Sequence, residues 1–359
     1  MRTAKHVWIL VAAVGFGLAG CSSDTNESTE PEASAPTVTP VTLSLGTGDP
    51  RGRPDTAVVE HFAEQVDQLS DGAMRIEITW QAADESGGKD AFEQGVVGLV
   101  QGGDLDLGWI AARAWDTVDV SSFQALQAPF LITDQDHLGQ VLASPISDEM
   151  LAGLEEVGLV GLGLYPDQLR HPVGYTEPLR SVDDFEGAGI RLVPSNATEA
   201  LVRAFGGEPK YGLNGDEIDV AVESGELYGT ETSLGLAAEG SILTGNVIFF
   251  PRVNTLFATA DGLASLSDEQ RAILEQAAGA SVEFAGASST QTEDVTAFCA
   301  AGGQVVAASD ADVTGFVRAA RPVLEMLEAD PQTAAFIEEI SAMKDGAPAA
   351  AAPTSCDPT

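Results

Sequence analysis

Between Val41 and Ile110 the sequence alternates between strand-like and helix-like periods, and few architectures accept such a pattern. VTLSL (Val41 to Leu45) reads as a short strand, and a Gly/Pro turn follows through Asp49-Pro50-Arg51-Gly52-Arg53-Pro54. Val59, Phe62, Val66 and Leu69 then recur at helical spacing until Asp71-Gly72. Met74 to Trp80 alternates as a strand, Phe92 to Val100 is helical, and DLDLGWI (Asp104 to Ile110) is a strand again. Such a βαβαβ run with short connections predicts a parallel sheet covered by helices.

The alternation restarts downstream. GLVGLGLYP (Gly158 to Pro166) and GIRLVP (Gly189 to Pro194) read as buried strands. The helix opening at Ser195 should bury Ala200, Leu201, Ala204 and Phe205 before Gly206-Gly207 ends it. A short helix around Ile218 to Val222 precedes GELYGTETS. Ser267 with Gln270 forms a capping box for a helix through Ile273, Leu274 and Ala277. The stretch from Val41 to about Lys344, roughly 300 residues, is long enough for two compact lobes or one large domain.

Residues 1–20 carry Arg2 and Lys5, an apolar run from Val7 to Leu18, and the small residues Ala19 and Gly20 before Cys21, the layout of an export signal. The run is shorter than the ~20 apolar residues a membrane-spanning helix needs. Leu18-Ala19-Gly20-Cys21 resembles a bacterial lipobox, which makes Cys21 the expected lipid-bearing N-terminus; the alternative is an ordinary secretory signal. Residues 21–40 are rich in Ser, Thr, Pro and Glu, lack aromatics, and read as a disordered tether. In an oxidising compartment Cys299 and Cys356 favour a disulfide over a redox or zinc site, with two buried free thiols as the alternative. Such a bridge would give the otherwise low-complexity tail, 346–359, a reason to be ordered.

The chain holds 17 Lys+Arg against 55 Asp+Glu, a formal charge of −38, and loses two cations with the leader. That field disfavours nucleic acid and anionic surfaces, so an anionic ligand would need a local cluster of cations. Enzyme signatures fail position by position. ADESGGKD has Ala83 where a phosphate loop needs its first glycine and Asp90 where it needs Ser or Thr. SDADVTGFVRAAR puts Arg321 where a calcium loop needs its bidentate Glu. No Gly-x-Ser-x-Gly elbow occurs, and His61, His137 and His171 lack metal-ligand spacing. No catalytic residue, metal or cofactor is expected. One cation stands out: Arg191 lies at the apolar end of a strand, between Ile190 and Leu192 and before Pro194 and Ser195. On its residues alone it reads as an ion-pair partner or as a ligand contact.

Longer motifs favour the second reading. GGKDAFEQGVVGLVQGGDLDLGWI, APFLITD (Ala128 to Asp134), SVDDFEGAGIRLVPS and GGEPKYGLNGDEIDVAVESGELYGTET together resemble the solute-binding proteins of tripartite ATP-independent (TRAP) transporters, DctP type, from Val41 to about Ala278. The resemblance implies an α/β, two-lobed periplasmic-binding-protein-like fold with a hinge and a ligand cleft between lobes. Lobe 1 would comprise 41–167 with about 256–300, and lobe 2 would comprise 168–255 with about 301–345. It further implies that Arg191, in the family's Arg-Val-Pro position, clamps a ligand carboxylate. Guanidinium offers a planar fork that suits this task. Arg170 would add a second donor, Glu231 and Thr232 would fix the remaining polar groups, and Lys89, Trp109 and Arg113 would face them from the first lobe.

Departures from the pattern fall around that clamp. Tyr228-Gly229-Thr230-Glu231-Thr232 stands where the family has Asp-Gly-Gln-Glu-Asn, Leu169 precedes Arg170 where a Gly-x-Arg motif is expected, and Asn214 replaces an aromatic, with Tyr211 the nearest ring. The expected function is an extracytoplasmic lipoprotein, monomeric and lipid-anchored on the outer face of the cell membrane. It would capture a small organic acid and deliver it to TRAP-type permease subunits. The alternatives are a binding lipoprotein of another importer class, such as an ATP-driven one, and a surface enzyme acting on glycans.

Overall fold

The computed structural model describes residues 38–83, 92–288, 291–344 and 352–356. The expected signal, Cys21 and its tether lie outside these residues, as does Lys89. No helix among them is long and apolar enough to cross a membrane.

Ten strands organise the described residues: β1 (Val41–Thr47), β2 (Met74–Thr79), β3 (Leu107–Ala111), β4 (Leu159–Gly174), β5 (Gly189–Arg191), β6 (Glu208–Lys210), β7 (Gly229–Thr232), β8 (Ile242–Thr244), β9 (Phe250–Thr259) and β10 (Gln304–Val306). The sheet runs β2-β1-β3-β9-β4-β7-β5-β6, with β8 bridging β4 and β10. The β1/β2 and β1/β3 pairs are parallel, as the βαβαβ reading predicts. A wholly parallel sheet is the expectation that fails, because β9 returns antiparallel between β3 and β4. β9 comes from a distant part of the chain, FPRVNTLFAT, whose continuous apolar run carries no signal of its neighbour's direction.

The chain folds as two α/β lobes that share β4. The strand extends well past the predicted Pro166. Its N-terminal part, to Arg170, pairs with β9, and His171 to Gly174 pair with β7 and β8. Pro166 lies at a register shift between Pro166 and Leu169, where a missing N–H is tolerated. The helices Thr56–Leu69 and Asp268–Ser288 cover the first sheet, burying Val59, Phe62, Val66, Leu274 and Ala277 against Leu45, Leu107 and Leu256. The reciprocal Ser267/Gln270 bonds at 2.8 and 3.2 Å start the second of these helices as the capping box predicts.

Beneath the second lobe, Phe185, Phe205, Phe249 and Phe316 form a nest with ring centroids 5.1 to 6.4 Å apart. The helix Asn196–Ala204 packs there through Ala197, Leu201 and Val202, while Ala200 and Ala204 are only half-buried. The helix Gln291–Ala300 packs beside β10 and the turn Leu234–Leu236, in the second lobe. Cys299 and Cys356 are joined, and the described tail residues dock so closely that Pro353 O lies 1.9 Å from where a Cβ on Gly245 would sit.

Candidate functional site

β5 ends at Arg191, and its neighbours aim that side chain across the cleft. Thr230 on β7 donates its hydroxyl to Arg191 O at 2.9 Å, which ties the strand end down. Pro194 then stops the strand, and Ser195 accepts from Thr198 N to open the next helix. Asp116, from the turn Ala112–Thr117, reinforces that start by accepting Asn196 N at 3.0 Å and Ala197 N at 2.9 Å. Arg191 is thus fixed at its root, while its head meets only neutral acceptors, Leu213 O at 2.7 Å and Asn214 Oδ1 at 3.1 Å. No carboxylate of the described residues pairs with it. Burial pulls its pKa below the ordinary guanidinium value, though arginine stays charged.

Arg191 opens onto a cavity of about 580 Å³, a size suited to a small organic ligand. Four further arginines line it: Arg53, Arg113, Arg170 and Arg252, with Asp49 as the one lining carboxylate among the described residues. In a chain of 17 cations and 55 anions, this gathering is opposite in sign to the protein as a whole. Each guanidinium is held differently. Arg170 presents Nε and Nη2 to the two Glu231 oxygens at 2.6 and 2.9 Å, both side chains being buried. Arg113 reaches Glu93 at 2.6 Å, and Glu93 in turn accepts Ala111 N.

Arg252, on β9, donates to Asp49 at 2.6 Å and lies 3.2 Å from Asp167 and 3.6 Å from Asp55. Burial works to lower its pKa, but Asp49, Asp167 and Asp55 overcome that and hold the group firmly charged. Arg53 shares Asp49 at a looser 3.4 Å. Its Nε, with those of Arg113 and Arg252, has no protein acceptor. Arg191 and Arg53, from the two lobes, are therefore the two least neutralised lining cations among the described residues.

The structure brings together Arg191, Arg170, Arg113 and Thr232 of the residues expected from sequence. Glu231 does not extend a free carboxylate into the cavity, because both its oxygens are spent on Arg170. Trp109 is not brought there. Its indole is buried, donates to Asp55 Oδ2 at 2.9 Å and packs on Tyr165 with centroids 4.4 Å apart. The alternation of β3 decides this: Trp109 points to the sheet face opposite Ile110, into the core with Leu107. Arg53, Arg252 and Tyr175 line the cavity without having been anticipated. Arg252 carried the same signal as Arg191, a cation inside the apolar strand FFPRVNTLF.

The family model for bacterial extracellular solute-binding proteins, family 7 (DctP), matches residues 45–239. An uncharacterized protein, y4mM, of Sinorhizobium fredii (strain NBRC 101917 / NGR234) is 28% identical over 193 residues, 54% of this chain, which spans only 34% of that relative's length. Among solved structures, a TRAP periplasmic solute-binding protein from Bradyrhizobium with bound galacturonate shares 24% identity. It has a TM-score of 0.73 over 84% of this chain and 100% of the other. One from Shewanella oneidensis with bound succinate shares 18% identity, with a TM-score of 0.74 over 86% of this chain and 100% of the other.

Proposed function

The chain belongs to the DctP family of bacterial extracellular solute-binding proteins, family 7, and from that premise we propose that it captures a small organic acid for a TRAP-type importer. The observation carrying this reading is the arginine-lined cavity of about 580 Å³ with Arg191 facing it unpaired by any described carboxylate. A ligand carboxylate accepting the Arg191 fork gains charge-assisted bonds worth about 1.5–3 kcal/mol each. Arg53 on the facing wall supplies a second cation, so binding draws both walls onto one anion and favours the closed population. Arg170, Arg113 and Arg252, each held by its own carboxylate, set the positive potential without needing the ligand to fold.

The galacturonate and succinate bound by the two structural relatives support an acid as ligand. In this reading 41–167 with about 256–288 forms one lobe and 168–255 with 291–345 the other, the helix Gln291–Ala300 packing with the second rather than the first, and Thr232 with Tyr175 orients the remainder of the ligand. The protein acts as a monomer tethered outside the cell membrane through acylated Cys21, and it hands its acid to membrane permease subunits. A thermal-shift screen of mono- and dicarboxylic acids, sugar acids and neutral sugars tests it. Acids should raise the melting temperature in proportion to RT ln(1 + [L]/Kd). A shift from neutral sugars, with none from any acid, would reject the reading.

A further inference from the structure

The turn Ala112–Thr117 carries two side chains to different ends: Arg113 lines the arginine cavity, and Asp116 reaches the helix Asn196–Ala204. In the lobes read above, the turn belongs to the first and the helix to the second. Asp116 Oδ1 accepts Asn196 N at 3.0 Å and Oδ2 accepts Ala197 N at 2.9 Å, two amides at a helix start that have no partner within their own helix. The Ser195 hydroxyl stands between two acceptors of the first lobe, 2.9 Å from Asp116 Oδ2 and 2.8 Å from Gln127 Oε1, and Asn196 Nδ2 donates to Asp116 O. Asp116, Gln127 and Ser195 are all buried. Among the described residues no cation pairs with the Asp116 carboxylate, since Arg113 is spent on Glu93.

The lobes also meet elsewhere, through a different kind of contact. Phe130 N donates to Phe249 O at 2.8 Å, and His137 Nε2 lies 3.0 Å from Ile340 O, both within the apolar core that joins Ala125, Leu138, Phe249 and Phe336. Parting that core would expose apolar surface, which makes it a pivot rather than an opening edge. The Asp116 contact is polar throughout, and its amides, hydroxyl and carboxylate can exchange their partners for water when the lobes part. Burial pushes the Asp116 carboxyl above its ordinary value, against the pull of the Ala197 and Asn196 amides and the Ser195 hydroxyl, so the contact forms at the cost of desolvating a charge. We propose that Asp116 is a latch between the lobes, made when the cleft closes and broken when it opens. Its grip falls just beyond Arg113 on one segment and just beyond Arg191 on the other, so the closed latch sets how far apart those two guanidiniums stand. An acid bridging the two walls favours the same closed population as the latch, and losing one weakens the other. The inference rests on the lobe division of the proposed function and needs no acid in the cavity.

The test is small-angle X-ray scattering of the full chain with no organic acid added, comparing wild type with Asp116→Ala and Asp116→Asn. Both variants should show a larger radius of gyration than wild type at unchanged circular dichroism. Amide hydrogen exchange should quicken about tenfold or more at Asn196 and Ala197, whose N–H groups lose the carboxylate, while Phe130 keeps its protection on the pivot side. Asp116→Asn preserves the side-chain volume, so an effect shared with Asp116→Ala comes from the charge and not from a cavity. An unchanged radius in folded variants, whatever their exchange, overturns the proposal. So does equally quickened exchange at Phe130, which would mark a general loosening. Failure of both variants to fold would make Asp116 a structural cap and overturn it too. Because no acid is added, these outcomes are independent of whether the arginine-lined cavity binds one.

Discussion

Arg170 and Glu231 satisfy one another, with guanidinium Nε and Nη2 at 2.6 and 2.9 Å from the two carboxylate oxygens and Nη2 also donating to Glu231 O at 2.9 Å. The pair sits where β4 and β7 run antiparallel in the second lobe, and it distinguishes Arg170 from Arg191, whose partners are neutral. One arginine is built into the protein, and the other is available.

That difference is measurable as stability. Glu231→Gln leaves Arg170 buried without its counter-charge and should destabilise the ligand-free protein by about 3–5 kcal/mol in urea denaturation. Pairing Glu231→Leu with Arg170→Met should recover most of that loss. If Glu231→Gln leaves the urea midpoint unchanged, Arg170 is not committed to Glu231.

His171, beside Arg170, gives a pH prediction of definite sign. It is 1% exposed, with Nδ1 donating to Val247 O at 3.0 Å, and burial lowers its pKa from 6.5 to about 4. A depressed folded-state pKa means that the unfolded chain takes up the proton first as pH falls. The stability from neutral His171 is full above pH 6.5 and is lost between 6.5 and about 4, on the order of 3 kcal/mol. Asp55 works oppositely in nearly the same window. Burial, with Asp49 and Asp167 nearby, raises it from 3.8 to about 6, so its contribution falls as pH rises from about 4 to 6. Urea midpoints across pH 4–7 should therefore become steeper for Asp55→Asn and flatter for His171→Phe. The same slope in both variants would refute the assignment.

Much of the first lobe was legible in sequence because β1, β2 and β3 are local in the chain and their helices carry clean apolar spacing. Arg191's position at an apolar strand end is legible from its neighbours Ile190 and Leu192, but its reading as a ligand contact comes from the family's motif, because a buried cation alone fits an ion pair equally well. Trp109 was misplaced because which face of β3 looks into the cleft depends on β9, more than a hundred residues downstream, and residue type does not encode that. Glu231 was misassigned for a related reason: its partner Arg170 lies on another strand, and only the antiparallel β4/β7 register brings the two charges together. Arg53 belongs to a loop without periodicity, so nothing local marked its direction.

The described tail residues end on Cys356, bonded to Cys299 across 57 residues of chain. Closing a loop of that length contributes about 4 kcal/mol in the chain-entropy model. Reductant should lower the urea midpoint of the wild-type chain and leave that of a Cys299→Ser, Cys356→Ser double variant unchanged. Equal sensitivity in both would refute a stabilising role.

Leu18-Ala19-Gly20-Cys21 makes an independent prediction about location. If the lipobox reading holds and acylation of Cys21 supplies the anchor, Cys21→Ala should shift the protein from the membrane fraction to the soluble fraction. Continued sedimentation with membranes through detergent-free washes would mean that something other than Cys21 holds it there.

Arg191 carries the sharpest test of the binding reading. Its main chain is tied to Thr230, and its head is held by Leu213 O and Asn214 Oδ1 at the cavity wall. A ligand carboxylate would thus meet a fork already oriented, and little rotamer entropy would be lost on binding. Arg191→Lys keeps the charge, and so the long-range attraction, but loses the planar pair of donors; affinity should fall by about tenfold or more. Arg191→Ala should fall further, because the ligand charge would then be desolvated opposite an empty wall. Arg53→Ala should cost less for a monocarboxylate than for a dicarboxylate, since the facing wall engages the second charge. Neither Arg191 variant should lose stability without ligand, because no described carboxylate is left unpaired, and this separates them from Glu231→Gln. Calorimetric titration of the four proteins with the acid found by thermal screening measures all of this. Equal affinity in wild type, Arg191→Lys and Arg191→Ala, with circular dichroism unchanged, would make Arg191 a structural cation and leave the cavity's arginines without a common ligand.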